Sequence, residues 1–173
     1  MSHDPQIQAL LDRQAITDVL VRYCRGADRA EIALMADAYH PDAIEDHGGT
    51  FSGSAKDYLA MLAPILPRGG IMTHTTTNVL IEFDGDTAHV ESHILAFARL
   101  KKDGEKFDTL TLARAVDRFE KRDGAWKIAH RRMVWEWNHE MALAETWGRG
   151  VIAPDASVLV RGAKIPIDLI YTR

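Results

Sequence analysis

The sequence predicts an α+β fold, and three observations lead there. Apolar residues recur at helical spacing through roughly the first 65 positions. From Gly70 onward the chain changes to four long β-rich runs, 71–83, 87–100, 107–119 and 125–139. Short connections rich in Asp and Gly join those runs. Helices that come first and hairpin-linked strands that follow describe three helices covering the concave face of a strongly curved antiparallel sheet.

Each element has its own signal. Asp4 followed by Pro5 is a helix start, because Asp accepts free amide hydrogens while Pro lacks one and has its dihedral preset. The first helix is expected from Pro5 to Gly26, with Ile16, Val19, Leu20 and Tyr23 on its buried stripe and Ile7, Leu10 and Leu11 beginning the pattern. A second helix is expected from Arg29 to Tyr39, ending where Pro41 disfavours helical geometry at His40. A small strand near Ala43 to His47 comes next. A short third helix then starts at the Ser54/Asp57 capping pair, carries Tyr58, Leu59, Met61, Leu62 and Ile65, and is closed by Pro64 and Pro67. In the second half, Asp84-Gly85-Asp86, Lys102-Asp103-Gly104 and Arg122-Asp123-Gly124 are hairpin turns, since glycine tolerates the positive φ they need.

A length of 173 residues and a hydrophobic content of 46% suit a single domain, with a core at about 5–140 and a C-terminal tail at 141–173. That tail is too apolar for a solvated end and is expected to pack on the body or on a neighbouring subunit. A net charge of −4 without a basic patch argues against nucleic acid as a partner. No run approaches the ~18 apolar residues of a membrane span, and no apolar signal core opens the chain. The single cysteine, Cys24, excludes an internal disulfide and fits a reducing, cytoplasmic location; within the first helix it is most simply a small core residue. No glycine-rich phosphate loop or nucleophile elbow is present, so no cofactor is expected. His89 and His93 would stand about 13 Å apart along a strand, so no metal is expected either. Trp135, Trp137 and Trp147 are expected on the outer face of the sheet or at a subunit interface.

The candidate chemistry lies on the predicted concave side. Tyr23 is on the buried stripe of the first helix, and Asp28 stands just past Gly26, where a carboxylate can reach into a cavity. His74 lies in the polar stretch Met72-Thr-His-Thr-Thr-Thr-Asn78, which interrupts an otherwise apolar strand on the side facing the helices. If Asp28 meets His74, the carboxylate fixes one ring tautomer and leaves the other nitrogen as a general base. Tyr23 could then donate to an oxygen on which charge develops. A satisfied core pair would look the same in sequence. His47, in Asp46-His-Gly-Gly49, is a further candidate for the cavity wall because apolar alternation breaks there. Arg131 and Arg132 are adjacent, so only one faces inward. Keeping Trp126, Ile128 and Arg131 on one face requires a bulge.

The segments Arg13 to Asp28, Tyr39-His-Pro-Asp-Ala43 and Gly124-Ala-Trp-Lys-Ile128 resemble the SnoaL-like branch of the nuclear transport factor 2-like superfamily over about residues 5–140. That superfamily includes scytalone dehydratase, bile acid 7α-dehydratase, a hexachlorocyclohexane dehydrochlorinase, polyketide cyclases and limonene epoxide hydrolase, beside many proteins without known activity. The resemblance implies a cone-shaped α+β barrel, with three N-terminal helices on a strongly curved mixed, mainly antiparallel sheet. It implies catalytic roles for Tyr23, Asp28 and His74, favours Arg131 over Arg132 as the inward, substrate-binding arginine, and makes His93 a substrate-binding candidate beside His47. A second aspartate on the following strand has no clear match, since that strand offers Glu91 and His93. The expected function is a cofactor-independent, dehydratase-like lyase or isomerase acting on a small hydrophobic cyclic ketone or alcohol. The alternative is a non-catalytic small-molecule binding domain, or an accessory subunit of the kind found in ring-hydroxylating dioxygenases. A broad open sheet face and an apolar tail point to a homodimer or homotrimer.

Overall fold

Asp4 and Pro5 open the first helix as the sequence indicates: the computed structural model, which describes residues 4–145, 155 and 157–171, has Gln6 N donating to Asp4 Oδ1 at 2.8 Å. Helix α1 runs Pro5–Arg29, beyond the expected end at Gly26, and stops at Ala30 in the left-handed region with φ 58°. Gly26 is not a terminus but a close contact. A Cβ there would lie 2.7 Å from Met35 Cγ and 3.0 Å from Met35 N, so a bare Cα lets the next helix approach. The extra turn puts Asp28 on α1 itself. Helix α2, Ile32–Asp37, is shorter than expected because Tyr39 and His40 already belong to strand β1, Tyr39–Asp46. Pro41 is accommodated there because the pairing of β1 is irregular between Tyr39 and Ile44.

A three-residue strand β2, Ser52–Ser54, precedes helix α3, Ala55–Leu62. Ser54 caps α3 as expected: its hydroxyl accepts from Asp57 N at 3.0 Å and donates to Asp57 Oδ2 at 2.7 Å. The long strands are β3 Met72–Asp84, β4 Thr87–Lys102, β5 Glu105–Arg122 and β6 Ala125–Ala142. They form an antiparallel meander, and β1 joins it parallel to β6, giving the order β2-β1-β6-β5-β4-β3. The sheet is mixed and mainly antiparallel, but it is open, with β2 and β3 as edges, and does not close into the expected barrel. Two hairpins turn through consecutive left-handed residues, Asp103-Gly104 with φ 52° and 92° and Asp123-Gly124 with φ 52° and 79°.

Two bulges decide which side chains face the helices. On β3 the pairing shifts between Thr77 and Leu80, with Asn78 at φ 49°. Met72, His74 and Thr76 face inward before the shift, and Ile81 and Phe83 after it. On β6 Ala129 is the extra residue between Ile128, opposite Phe119, and His130, opposite Arg118. This is the irregularity that the sequence demands of β6: Trp126, Ile128 and Arg131 are all buried, and Arg132 points to solvent.

The main core joins Ile16, Val19 and Leu20 of α1 to Ile81, Val90, Phe119, Trp126 and Ile128 of the sheet. A second, smaller cluster of Ile94, Ala113, Ala115 and Met133 lies further along the strands. Part of the tail docks against the end of α1: Ile165 N donates to Arg29 O at 2.9 Å and Tyr171 hydroxyl donates to Glu31 Oε2 at 2.6 Å. Trp147 lies outside the described residues, as do Val151 and Ile152. Among the described residues, no helix is long and apolar enough to cross a membrane.

Asp12 pins α1 to the β5–β6 hairpin, accepting from Lys121 Nζ and Trp126 Nε1, both at 2.8 Å, and from Gln8 Nε2 at 3.1 Å. Burial alone would raise this carboxyl, but those hydrogen bonds and the Lys121 charge hold it below the usual value of 3.8. A depressed folded-state value contributes stability above the ordinary titration range and loses it as pH falls through the lowered value. Asp12→Asn should therefore be less stable than wild type at neutral pH, with the gap narrowing steadily below about pH 4. Urea denaturation at a series of pH values checks this, and a gap independent of pH would contradict it.

Candidate active site

Between the two apolar clusters lies a cavity of about 250 Å³. Tyr23, Cys24, Ala27 and Met35 close one side, Tyr58 and Leu62 another, and Ala96, Ala98 and Ala113 form part of its floor. His74 and His47 both reach it. The strand alternation ending at the Asn78 bulge turns His74 inward, and the last turn of α1 sets Asp28 behind it.

The pair is closely built. His74 Nδ1 lies 2.7 Å from Asp28 Oδ1, and the His74 backbone N–H donates to Oδ1 at 3.0 Å and Oδ2 at 3.1 Å. A carboxylate only accepts, so Nδ1 carries a proton, and in the neutral ring the lone pair is then on Nε2. Among the described residues Nε2 has no hydrogen-bond partner. The side chains are 21% and 12% exposed, so the dyad is shielded without being sealed. Asp28 faces an outer cleft and does not line the inner cavity, which is what a residue orienting the far side of the ring requires.

Tyr23 stands beside the cavity with its ring edge against Tyr39 at 5.7 Å. Burial pushes its phenol up, against the opposing pull of Arg131, so it keeps its proton at neutral pH. Cys24 is buried, 3.3 Å from the Thr76 hydroxyl, and burial raises its thiol as well, so it is not a poised nucleophile.

Arg131 faces inward, but it is not a cavity wall. Only 1% of its side chain is exposed, and Nε and Nη2 donate to Asp117 Oδ1 and Oδ2 at 2.8 and 2.7 Å. Its guanidinium carbon sits 4.5 Å from the centre of the Tyr23 ring. Burial works against its charge, but Asp117 and the nearby phenols outweigh that, and Arg131 holds its proton well above the ordinary arginine value. Burial pushes the Asp117 carboxyl up while the guanidinium pulls the other way. Because arginine does not give up its proton, the pair remains ionic, tied by two parallel hydrogen bonds. Among the described residues Arg131 Nη1 has no partner. The expectation that Arg131 binds substrate directly is therefore corrected: it supports Tyr23 from behind.

His93 is corrected too. On β4, Ser92 and Ile94 face the helices, so His93 lies on the opposite face, 3.0 Å from Asn78 Nδ2. His47 does line the cavity, stacked on Tyr58 at 4.9 Å. Trp135, expected on the outer face or at a subunit interface, also lines it, because the β6 bulge keeps Met133 and Trp135 in phase with Arg131; its Nε1 donates to Gly48 O at 2.9 Å. Three residues were not singled out for the site by the sequence: Glu45, Asp117 and Tyr58, the last read only as part of the third helix. Alternation held a signal for two of them, since Asp117 lies between inward Ala115 and Phe119, and Glu45 is two residues from His47. Among the described residues, no three His, Cys, Asp or Glu side chains come together as a metal cluster.

Against known proteins, a family profile described as a SnoaL-like domain matches residues 8–132. A search of curated proteins finds no match. Among solved structures, the fold is similar to a hexachlorocyclohexane dehydrochlorinase, LinA-type3, from Novosphingobium barchaimii, with a TM-score of 0.72 at 22% identity, covering 82% of this chain and 97% of that one. It is also similar to a protein provisionally identified as a scytalone dehydratase from Novosphingobium aromaticivorans, with a TM-score of 0.70 at 21% identity and coverage of 84% and 99%. A third, provisionally an aromatic ring hydroxylase from the same species, has a TM-score of 0.67 at 20% identity and coverage of 76% and 94%. These likenesses concern the fold.

The buried ion pair has a direct test. Asp117→Ala strands the Arg131 charge and should cost about 3–5 kcal/mol, while adding Arg131→Met should restore most of that loss. Urea denaturation of the single and double variants reads both. A single-variant cost below about 1 kcal/mol would mean that Asp117 is not what neutralises the guanidinium.

Proposed function

The chain belongs to the SnoaL-like domain family, and from that premise we propose that it is a cofactor-independent, dehydratase-like lyase or isomerase acting on a small hydrophobic cyclic ketone or alcohol. The observation that carries this reading is the His74–Asp28 pair: a 2.7 Å contact on Nδ1 with Nε2 unengaged, on the wall of an apolar cavity. A base held in one tautomer with a bare lone pair is equipped to take a proton. Neighbours in fold described as a dehydrochlorinase and, provisionally, a dehydratase support elimination as the reaction type.

In the proposed step, Nε2 of His74 takes the proton on the carbon next to a ring carbonyl. Asp28 keeps the ring oriented and stabilises the imidazolium that forms. Tyr23, kept protonated by burial, donates to the carbonyl oxygen as negative charge builds there. Arg131 lies against the Tyr23 ring, 4.5 Å from its centre, and its charge acts on the phenol. The small, mainly apolar cavity suits a monocyclic guest better than a charged one.

We also propose that the chain works as a homodimer or homotrimer. Leu100, Val116, Trp137 and Met141 each stand more than 40% exposed on the long strands, and large apolar side chains so placed usually mark interfaces. Sedimentation equilibrium reads this directly, and a monomer at micromolar concentration would remove it.

The elimination reading is tested in two ways. Exchange of the α-protons of cyclohexanone for deuterium should be accelerated by the wild type and should fall by about 10²–10⁴ in His74→Gln, with melting behaviour unchanged. Imidazole nitrogen NMR should show neutral His74 protonated on Nδ1 in the wild type and lose that preference in Asp28→Asn. Binding of cyclohexanone without exchange, equal in wild type and His74→Gln, would turn the reading to a binding domain.

A further inference from the structure

The cavity holds a second histidine with its own carboxylate, and the step above leaves it unused. His47 Nδ1 lies 2.7 Å from Glu45 Oε1, and the Tyr39 hydroxyl donates to Glu45 Oε2 at 2.6 Å. His47 stacks on Tyr58 and meets the edge of Trp135 at 5.5 Å. Trp135 is itself tied to Gly48 O, so the imidazole is clamped between α3 and β6. His47 follows β1 and His74 lies on β3, so the two rings come from strands near opposite edges of the sheet and flank one cavity.

The charges beneath these two rings differ. Asp28 is partly solvated, whereas the Glu45 side chain is fully buried. Register sets Glu45 beside Arg131, and Arg131 beside Asp117, across β1, β6 and β5. Both hydrogen-bonding nitrogens of Arg131 that are engaged go to Asp117. This layer therefore has two carboxylates and one guanidinium away from water, and such a layer favours one more positive charge. The groups around His47 are Glu45 on its own segment, Tyr58 on α3, Trp135 on β6, and Tyr39, Tyr23 and Arg131 beyond Glu45; His47 is the basic side chain hydrogen-bonded to the carboxylate that Arg131 does not engage. Its Nε2 is 3.4 Å from the Tyr58 hydroxyl, too long to bind the proton firmly.

We propose that His47 is the general acid of the same elimination, with Glu45 as the residue that positions it; this rests on the reading of His74 as the base. With a β-hydroxy ketone, His74 Nε2 takes the proton from the carbon between carbonyl and carbinol. The C–H electron pair becomes the new C=C bond, and the C–O bond breaks with its pair going to oxygen. That oxygen takes the Nε2 proton of His47 and leaves as water. His74 ends with one proton more and His47 with one fewer, and water entering after product release returns the difference.

A leaving-group comparison tests the assignment. 3-Hydroxycyclohexanone must expel water and needs a proton, whereas 3-acetoxycyclohexanone expels acetate and does not; both give cyclohex-2-enone, read by its absorbance. His47→Gln should lose about 10²–10⁴ on the hydroxy probe and only a few-fold on the acetoxy probe, and its loss on α-proton exchange of cyclohexanone should be no larger than its loss on the acetoxy probe. Glu45→Gln, whose single amide oxygen can still accept from Tyr39 or from His47 but not from both, should show the same split in smaller measure, with the alkaline limb of its hydroxy-probe profile moved to lower pH. It also carries the test if His47→Gln does not fold. Equal losses on both probes and on exchange would make His47 structural, and an unchanged hydroxy rate would make it a spectator. Wild type that exchanges no α-protons would instead sink the His74 reading, and this proposal with it.

Discussion

Arg131 is a full positive charge set where only 1% of its side chain meets solvent, and much of the molecule is arranged so that it can be there. Removing a guanidinium from water costs several kcal/mol unless a partner compensates. The compensation comes from Asp117 on the neighbouring strand, and it needs both side chains on the inner face of the sheet. On β6 that orientation exists because Ala129 adds one residue to the strand, letting Ile128 and Arg131 share a face despite their odd spacing. Without the bulge, the strand would turn either its apolar anchors or its arginine outward. The charge in turn fixes what lies above it, since Tyr23 rests on its face and Tyr39 is within its field.

From this layer the chemistry of the cavity acquires direction. The phenols stay protonated because burial disfavours their anions. The two histidines have carboxylates on the same ring atom, Nδ1, but unlike settings. His74 has a carboxylate at the end of a helix, open to an outer cleft, and its Nε2 is bare. His47 sits over a buried acid within a layer short of positive charge. A single cavity can thereby give one imidazole to proton removal and the other to proton delivery, a separation by surroundings rather than by residue type.

Much of this was legible in the amino-acid order. The buried stripe of α1, the hairpin turns, the helix-then-strand plan and the irregularity in β6 all follow from local periodicity and turn chemistry. Tyr23 was visible on the buried stripe of α1, Asp28 at the turn after Gly26 and His74 in a polar stretch that interrupts an apolar strand, and the family resemblance joined the three. What stayed hidden depends on pairing between distant segments. The Asn78 bulge determines the phase of β3, and β4 register sends His93 outward, but neither bulge nor register leaves a mark in one segment alone. Glu45 and Asp117 sit where alternation points inward, but the groups that make an inward acid tolerable lie on other segments. Their burial makes sense only once β1, β6 and β5 stand side by side. The end of α1 was misplaced for a different reason: Gly26 is bare to admit Met35, and glycine used for clearance looks the same in sequence as glycine used for stopping a helix.

The floor of the cavity is built from alanines on β4 and β5, while the groups proposed to do chemistry come from α1, β3 and the segment after β1. Shape and reactivity are therefore written in separate stretches of chain. A methyl group exchanged for an isopropyl or an isobutyl at Ala98 or Ala113 would change which guests fit, whereas Ala96 stands directly opposite His74 across the β3–β4 pairing. Such a division lets a lineage explore new molecules by single steps in the floor, each inherited without rebuilding the machinery above it.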